Sequence, residues 1–216
     1  MTADTRTPPD ALLLLGTHCP YCPTVQKSLG ELVKAGVIGK LEAVNIEQRP
    51  DIAQDLGVRT VPWVRIGPFE LEGLRSEQEL REWAEKAGSA DGLAAYLDEL
   101  LSSGQIDMVL GMVRKDPANL DALLALFADT ETQINTRIGI SAIMEDLEGS
   151  ELLQGLVTPL GELTRHAEAH IRADACHYLG MSGNRQASAW IRPLLEDSDA
   201  DVREVAAESL AALEDG

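Results

Sequence analysis

The stretch Leu12-Leu13-Leu14-Leu15-Gly16-Thr17-His18-Cys19-Pro20-Tyr21-Cys22-Pro23 decides how the first half of this chain is read. Four leucines closed by a glycine read as a short buried strand. Downstream, Val25, Leu29, Leu32 and Val33 recur at the i, i+4, i+7, i+8 spacing of an amphipathic helix. Pro20 and Pro23 lack an amide hydrogen, so both fit that helix only in its first turn, where amides have no intrahelical partner. The reading therefore places Cys19 at a helix N-terminus. The partial positive charge there favours the thiolate, which is the nucleophilic form of the side chain. Cysteines in such two-residue-spaced pairs ionise at roughly 3.5–7.5, against about 8.5 for a free thiol. Cys19 is predicted to attack a disulfide, and Cys22, one turn further in, to resolve the mixed disulfide that results. His18, when protonated, would lower the pKa of Cys19 further. A zinc site is the alternative, but it needs two more Cys or His ligands at suitable spacing, and none follows within this half.

Outward from this stretch the pattern alternates. A helical run over residues 24–35 leads to an apolar run at 41–46, a helical one at 52–56, and further short runs at 61–66 and 69–71. This predicts an α/β domain, a mixed sheet with flanking helices. A last helix opens with Ser76 and Glu79 as a capping box and places Leu80, Trp83, Ala84 and Ala87 on one face. The small polar segment at 88–92 then marks a boundary. The expected organisation is a flexible N-terminus at 1–10, a first domain at 11–88, a linker and connecting helix at 89–104, and a second domain at 105–216.

The second domain shows only helical spacing, and it repeats. Arg137, Arg172 and Arg203 each stand near the start of a helical stretch, with Ile140, Ala175 and Ala206 three residues later and Met144, Leu179 and Leu210 seven residues later. The arginines are 35 and 31 residues apart, and Pro159 and Pro193 are 34 apart. Periods of this size signal stacked helical hairpins. Ala173, Ala175, Ala206 and Ala207 are expected to permit close helix approach, and each proline to start, break or kink its helix.

Several motifs resemble known families. CPYC at residues 19–22 is the pair found in many glutaredoxins, and CPYCP is similar to the active site of small thioredoxin-like proteins and protein disulfide oxidoreductases. Thr60-Val61-Pro62 looks like the cis-proline loop of the same superfamily. By that resemblance residues 11–87 take a thioredoxin-like fold, Pro62 is cis, and the Val61 backbone is left free to pair with a substrate strand. Tyr21, Pro62 and Trp63 would then form an apolar rim around the sulfurs, although Trp63 also reads as core. The string VREVAAESLAAL from Val202, and more weakly IRADACHYLG from Ile171, looks like the first helices of HEAT-like repeats. The chain departs from the first superfamily in two places. No Asp or Glu stands inside residues 12–15, where typical thioredoxins carry a buried acid. The positions where glutaredoxins hold a basic residue and a Gly-Gly plus acidic stretch read Thr17-His18 and Glu72-Gly73-Leu74-Arg75, which argues against glutathione.

Composition narrows the partners. With 36 acidic and 18 basic residues the chain carries a formal charge of −18, of which residues 89–216 contribute −15 from 23 acids and 8 bases. Lys and Arg supply most nucleic-acid affinity, so nucleic acid is not an expected partner. No apolar run approaches the roughly 18 residues of a membrane helix, and the first ten residues show no secretory pattern. Three cysteines do not make a disulfide framework, and a cytoplasmic location is expected. Cys176 reads as a small packed residue. His166 and His170, flanking Glu168, lack the order of a zinc-protease motif. The sequence thus predicts a thiol-disulfide oxidoreductase acting on protein disulfides, with no cofactor beyond the cysteine pair, no metal and an upstream thiol reductant. Its repeats would recruit or orient a protein partner. The alternatives are a non-catalytic scaffold with a redox-sensitive docking module, and a glutathione-linked reductase.

Overall fold

In a computed structural model of the chain, which describes residues 7–87 and 90–215, the leucine run is an inner strand of a four-stranded sheet. The elements of this part are β1 (Asp10–Leu15), α1 (Cys22–Lys34), β2 (Lys40–Asn45), α2 (Pro50–Asp55), β3 (Trp63–Ile66), β4 (Phe69–Glu72) and α3 (Glu77–Lys86). The sheet order is β2-β1-β3-β4. β1 runs parallel to β2 and antiparallel to β3, and β3 and β4 form a hairpin. Successive strand side chains point to opposite faces, and both faces of β1 are covered, since Leu13 and Leu14 are each fully buried. Leu14 lies with Ala53 of α2 and Trp63 of β3 in one core cluster. The β3–β4 turn is Gly67-Pro68, and Gly67 has a φ of +55°, as the first central residue of a tight hairpin requires.

α3 forms as its cap predicts. The Ser76 amide donates to Glu79 Oε2 at 2.8 Å, and the Glu79 amide donates to Ser76 Oγ at 3.2 Å. The Ser76 hydrogen bonds hold the Glu79 carboxyl below the ordinary carboxylate range. Leu80, Trp83 and Ala84 are the buried face.

The next helix, α4 (Ala90–Ser102), falls within the span expected to hold a linker and connecting helix, 89–104. Residues 1–6 of the expected flexible N-terminus, and residues 88–89 of the expected boundary, lie outside the described residues. The small polar residues from Ala90 to Gly92 belong to this helix, and the chain divides into two compact units after Tyr96. The reason is the Tyr96 side chain, which is 1% exposed. Its ring centroid lies 5.0 Å from Phe69 and 5.5 Å from Trp83, and its hydroxyl both donates to the Glu70 carbonyl and accepts from the Glu70 amide at 2.9 Å. A buried tyrosine with both polar needs met is worth more to this core than a break at the preceding small residues.

The second unit is helical throughout its described residues. It contains α5 (Ile106–Lys115), α6 (Asn119–Ala128), α7 (Ile134–Asp146), α8 (Glu151–Gly155), α9 (Val157–Leu163), α10 (Ala169–Met181), α11 (Ser188–Ile191) and α12 (Ala200–Asp215), with 3-10 turns at Arg185–Ala187 and Arg192–Glu196. The periodic arginines sit in α7, α10 and α12, and each grips carbonyls of the segment leading into its own helix. Arg137 donates to the carbonyls of Phe127 and Asp129, Arg172 to those of His166 and Ala167, and Arg203 to those of Asp197 and Ser198. Arg172 also forms a two-pronged pair with Asp197, at 2.9 and 2.7 Å, and these side chains are only 13% and 9% exposed.

Ile140, Ala175 and Ala206, as well as Met144, Leu179 and Leu210, are all buried. Two of the four expected contact alanines are not: Ala207 is exposed and Ala173 only half-buried. The tightest approaches fall instead on glycines. A Cβ on Gly161 would overlap the Trp190 ring, and one on Gly180 would stand 2.8 Å from Ser209 Cβ. Pro159 and Pro193 each lie within the first three residues of their helical segments, where a missing amide costs nothing.

Candidate active site

α1 begins at Cys22, with Tyr21 as its N-cap and Pro23 as its second residue. Cys19 and Pro20 therefore precede the helix rather than forming its first turn, which corrects the placement expected from the prolines. The sulfur nevertheless reaches the helix terminus, because the Cys22 amide donates to Cys19 Sγ at 3.1 Å. The turn is closed by the Cys19 amide, which donates to the Gly16 carbonyl at 3.3 Å. Cys19 and Cys22 form a disulfide, with their Cα atoms 5.5 Å apart. The two are unequally accessible: Cys22 is 3% exposed, whereas Cys19 is half-buried.

The loop before β3 faces this pair. Cys19 Sγ lies 3.7 Å from the Val61 carbonyl oxygen, and the Val61–Pro62 bond is cis. Tyr21 is 55% exposed beside the sulfurs in sequence, and Val61 is half-buried. Trp63 corrects the expected rim. At 1% exposure it belongs to the core with Leu14 and Ala53, and Pro62 is buried as well. Trp63 and Pro62 are thus withdrawn from the surface, and the Val61 carbonyl is the group of this loop that lies against Cys19 Sγ.

The structure also brings together three residues that the sequence motifs do not connect. β1 and β2 pair in parallel with Leu15 opposite Asn45, so the residues that leave the two strands emerge side by side. The Thr17 amide donates to Glu47 Oε1 at 2.8 Å, Asn45 Nδ2 donates to Thr17 Oγ1 at 3.0 Å, and the Glu47 amide donates to Asn45 Oδ1 at 2.9 Å. The hydrogen bonds from Thr17 hold the Glu47 carboxyl below its ordinary range, with a smaller contribution from the His18 charge. His18 itself is exposed. The acid near the pair thus stands just beyond β2 and not inside β1. Its signal in the sequence is the equal offset of Thr17 and Glu47 from the ends of two parallel strands.

The remaining candidates separate from this site. Cys176 is fully buried, and burial pushes its thiol up to about 11 despite a hydrogen bond with Ser209. His166 Nδ1 accepts the Glu168 amide at 3.1 Å. Among the described residues no group of three or more His, Cys, Asp or Glu could hold a metal ion, and no helix is long and apolar enough to cross a membrane.

A mixed sheet flanked by helices, with a Cys-x-x-Cys pair at the start of the first helix and a cis-proline loop facing it, defines a thioredoxin-like domain. A family model described as a thioredoxin domain matches residues 11–85. A model of HEAT repeats matches residues 156–215, so the chain joins a thioredoxin-like domain to a helical region with HEAT repeats. A search among curated proteins found no match.

Proposed function

We propose that this protein is a thiol-disulfide oxidoreductase that exchanges the Cys19–Cys22 dithiol with protein disulfides, and that its helical repeats recruit or orient a protein partner. One observation carries the reading: of two sulfurs close enough to bond, the more accessible one receives a backbone amide from a helix terminus. That amide stabilises negative charge on Cys19 Sγ. The Cys19 thiolate attacks one sulfur of the substrate disulfide, and the other leaves as a thiolate that takes up a proton. Cys22, deprotonated, then attacks Cys19 Sγ. This forms the Cys19–Cys22 disulfide and releases the second substrate sulfur, which is protonated in turn. Two electrons and two protons pass to the substrate, and an external thiol reductant restores the pair. No bound cofactor takes part. The Val61 backbone pairs with the substrate strand beside the attacked sulfur, and Tyr21 covers its apolar side. The Thr17-His18 sequence before the pair offers no lysine or arginine for glutathione, so a protein disulfide is the favoured substrate. A reducing compartment such as the cytoplasm suits this direction of exchange.

The test is turnover by the full chain. With dithiothreitol as reductant it should reduce insulin disulfides, and Cys19→Ser should abolish this. Cys22→Ser should accumulate mixed disulfides through Cys19. An intact protein that turns over neither insulin nor any captured disulfide would leave the second reading, a scaffold in which the HEAT repeats bind and the cysteine pair only senses redox state.

A further inference from the structure

Cys19 Sγ lies against both the Cys22 amide, which the exchange uses, and the Val61 carbonyl, yet Cys19 lies in a turn outside the helix. Something must fix that turn. Gly16 begins it, at a point where three segments converge: a Cβ there would stand 3.3 Å from Val61 Cγ2, 3.4 Å from Glu47 Oε1 and 3.8 Å from Cys19 Cβ. The strand side is anchored, because the Ile46 amide continues the β1–β2 ladder to the Leu15 carbonyl at 3.0 Å. Beyond it the ladder ends, and the Thr17 amide turns to a side chain, the Glu47 carboxylate. Asn45 closes the ring by holding both partners, with its amide nitrogen on Thr17 Oγ1 and its oxygen on the Glu47 amide.

We infer that Glu47 is a positioning residue of the redox site: its carboxylate clamps the Thr17 amide and so holds the Gly16–Cys19 turn in the register that aims Cys19 at an incoming disulfide. The inference rests on the exchange reading above. Glu47 takes no proton from either cysteine in this role; it acts through Thr17. Its charge has a separate and opposite effect. A carboxylate this near the turn disfavours a second anion on Cys19, so the clamp must supply geometry that outweighs a small electrostatic penalty.

The two effects separate in Glu47→Ala and Glu47→Gln, made in the full chain. Gln keeps an oxygen that accepts the Thr17 amide and removes the charge, whereas Ala removes both. Insulin reduction with dithiothreitol should stay within about twofold of the original rate in Glu47→Gln and fall about three- to tenfold in Glu47→Ala, the loss expected for one net hydrogen bond. Iodoacetamide alkylation of Cys19, measured with Cys22 replaced by Ala, should shift its pH profile down by about half a unit in both variants, as removal of a single charge at this range through a high-dielectric path implies. A variant that alkylates more readily yet exchanges more slowly is the mark of lost positioning, which loss of overall stability would not produce. Glu47→Ala reducing insulin within twofold of the original rate overturns the inference while the exchange reading stands. Equal losses in Ala and Gln overturn it too, since the charge would then matter and not the acceptor. An unsubstituted chain that cannot reduce insulin at all overturns both readings together.

Discussion

Alkylation of Cys19 tests the central chemistry most directly. Cys22→Ala leaves Cys19 with its amide contact and without its disulfide partner. Cys176 does not interfere, because it is fully buried and its thiol is pushed up to about 11. The Cys22 amide sits 3.1 Å from Cys19 Sγ. A hydrogen bond to a charged acceptor is worth about 1.5–3 kcal/mol, which enlarges the thiolate population of an unactivated cysteine roughly ten- to a hundredfold where that population is small. The gain in rate is smaller. Each thiolate becomes less nucleophilic as its basicity falls, with a coefficient of about 0.4–0.5. At pH 6, alkylation by iodoacetamide should therefore run about three- to tenfold faster than that of a flexible cysteine peptide under the same conditions. The rate should also level off at lower pH than the peptide's does. A profile that overlays the peptide's at every pH would refute the reasoning, because the amide would then be contributing nothing to the anion.

Three further outcomes concern the scaffold. Arg172→Ala removes four hydrogen bonds and leaves the Asp197 carboxylate 9% exposed and without its cation; the expected cost is about 2–4 kcal/mol, read as a fall of roughly 6–15 °C in the melting of the helical signal. The Arg172 hydrogen bond holds the Asp197 carboxyl below its ordinary range, so its contribution is present above the unfolded-state value and is lost as pH falls through the folded one; the gap between Arg172→Ala and the original chain should narrow below about pH 4. Tyr96→Ala should destabilise the first unit by about 3–5 kcal/mol, measured by urea denaturation followed through the tryptophan fluorescence of that unit, and a change under about 1 kcal/mol would return the boundary to residues 88–92. Gly161→Ala drives a methyl group into the Trp190 ring and should cost about 1–3 kcal/mol, seen as a lower denaturation midpoint for the helical unit; an unchanged midpoint would show that the ring can move aside.

Much of this was legible because single side chains impose single backbone states. Pro23 could only stand in a first turn, and Ser76 with Glu79 could only cap a helix, so α1 and α3 followed from local chemistry. The helical repeats were legible through Arg137, Arg172 and Arg203, although their work on loop carbonyls was not. Trp63 was ambiguous for a physical reason: the sheet is covered on both faces, so adjacent residues Trp63 and Val64 are both buried and no alternation tells one side from the other. Glu47 was hidden because its importance depends on strand register across 30 residues, which the sequence does not print. Tyr96 was hidden by the small residues before it, since Ala90 to Gly92 have the composition of a linker and are held in a helix by the ring that the same element buries one turn later.

The grip of each repeat arginine on main-chain oxygens has a consequence for how such arrays can change. Every residue type offers the same carbonyl, so a guanidinium that clasps carbonyls asks nothing of the side chains in the loop it secures. Side chains there that make no bond of their own, unlike Asp197 with Arg172, are left open to substitution, and the display they present outward can be rewritten while the hairpins beneath keep their spacing.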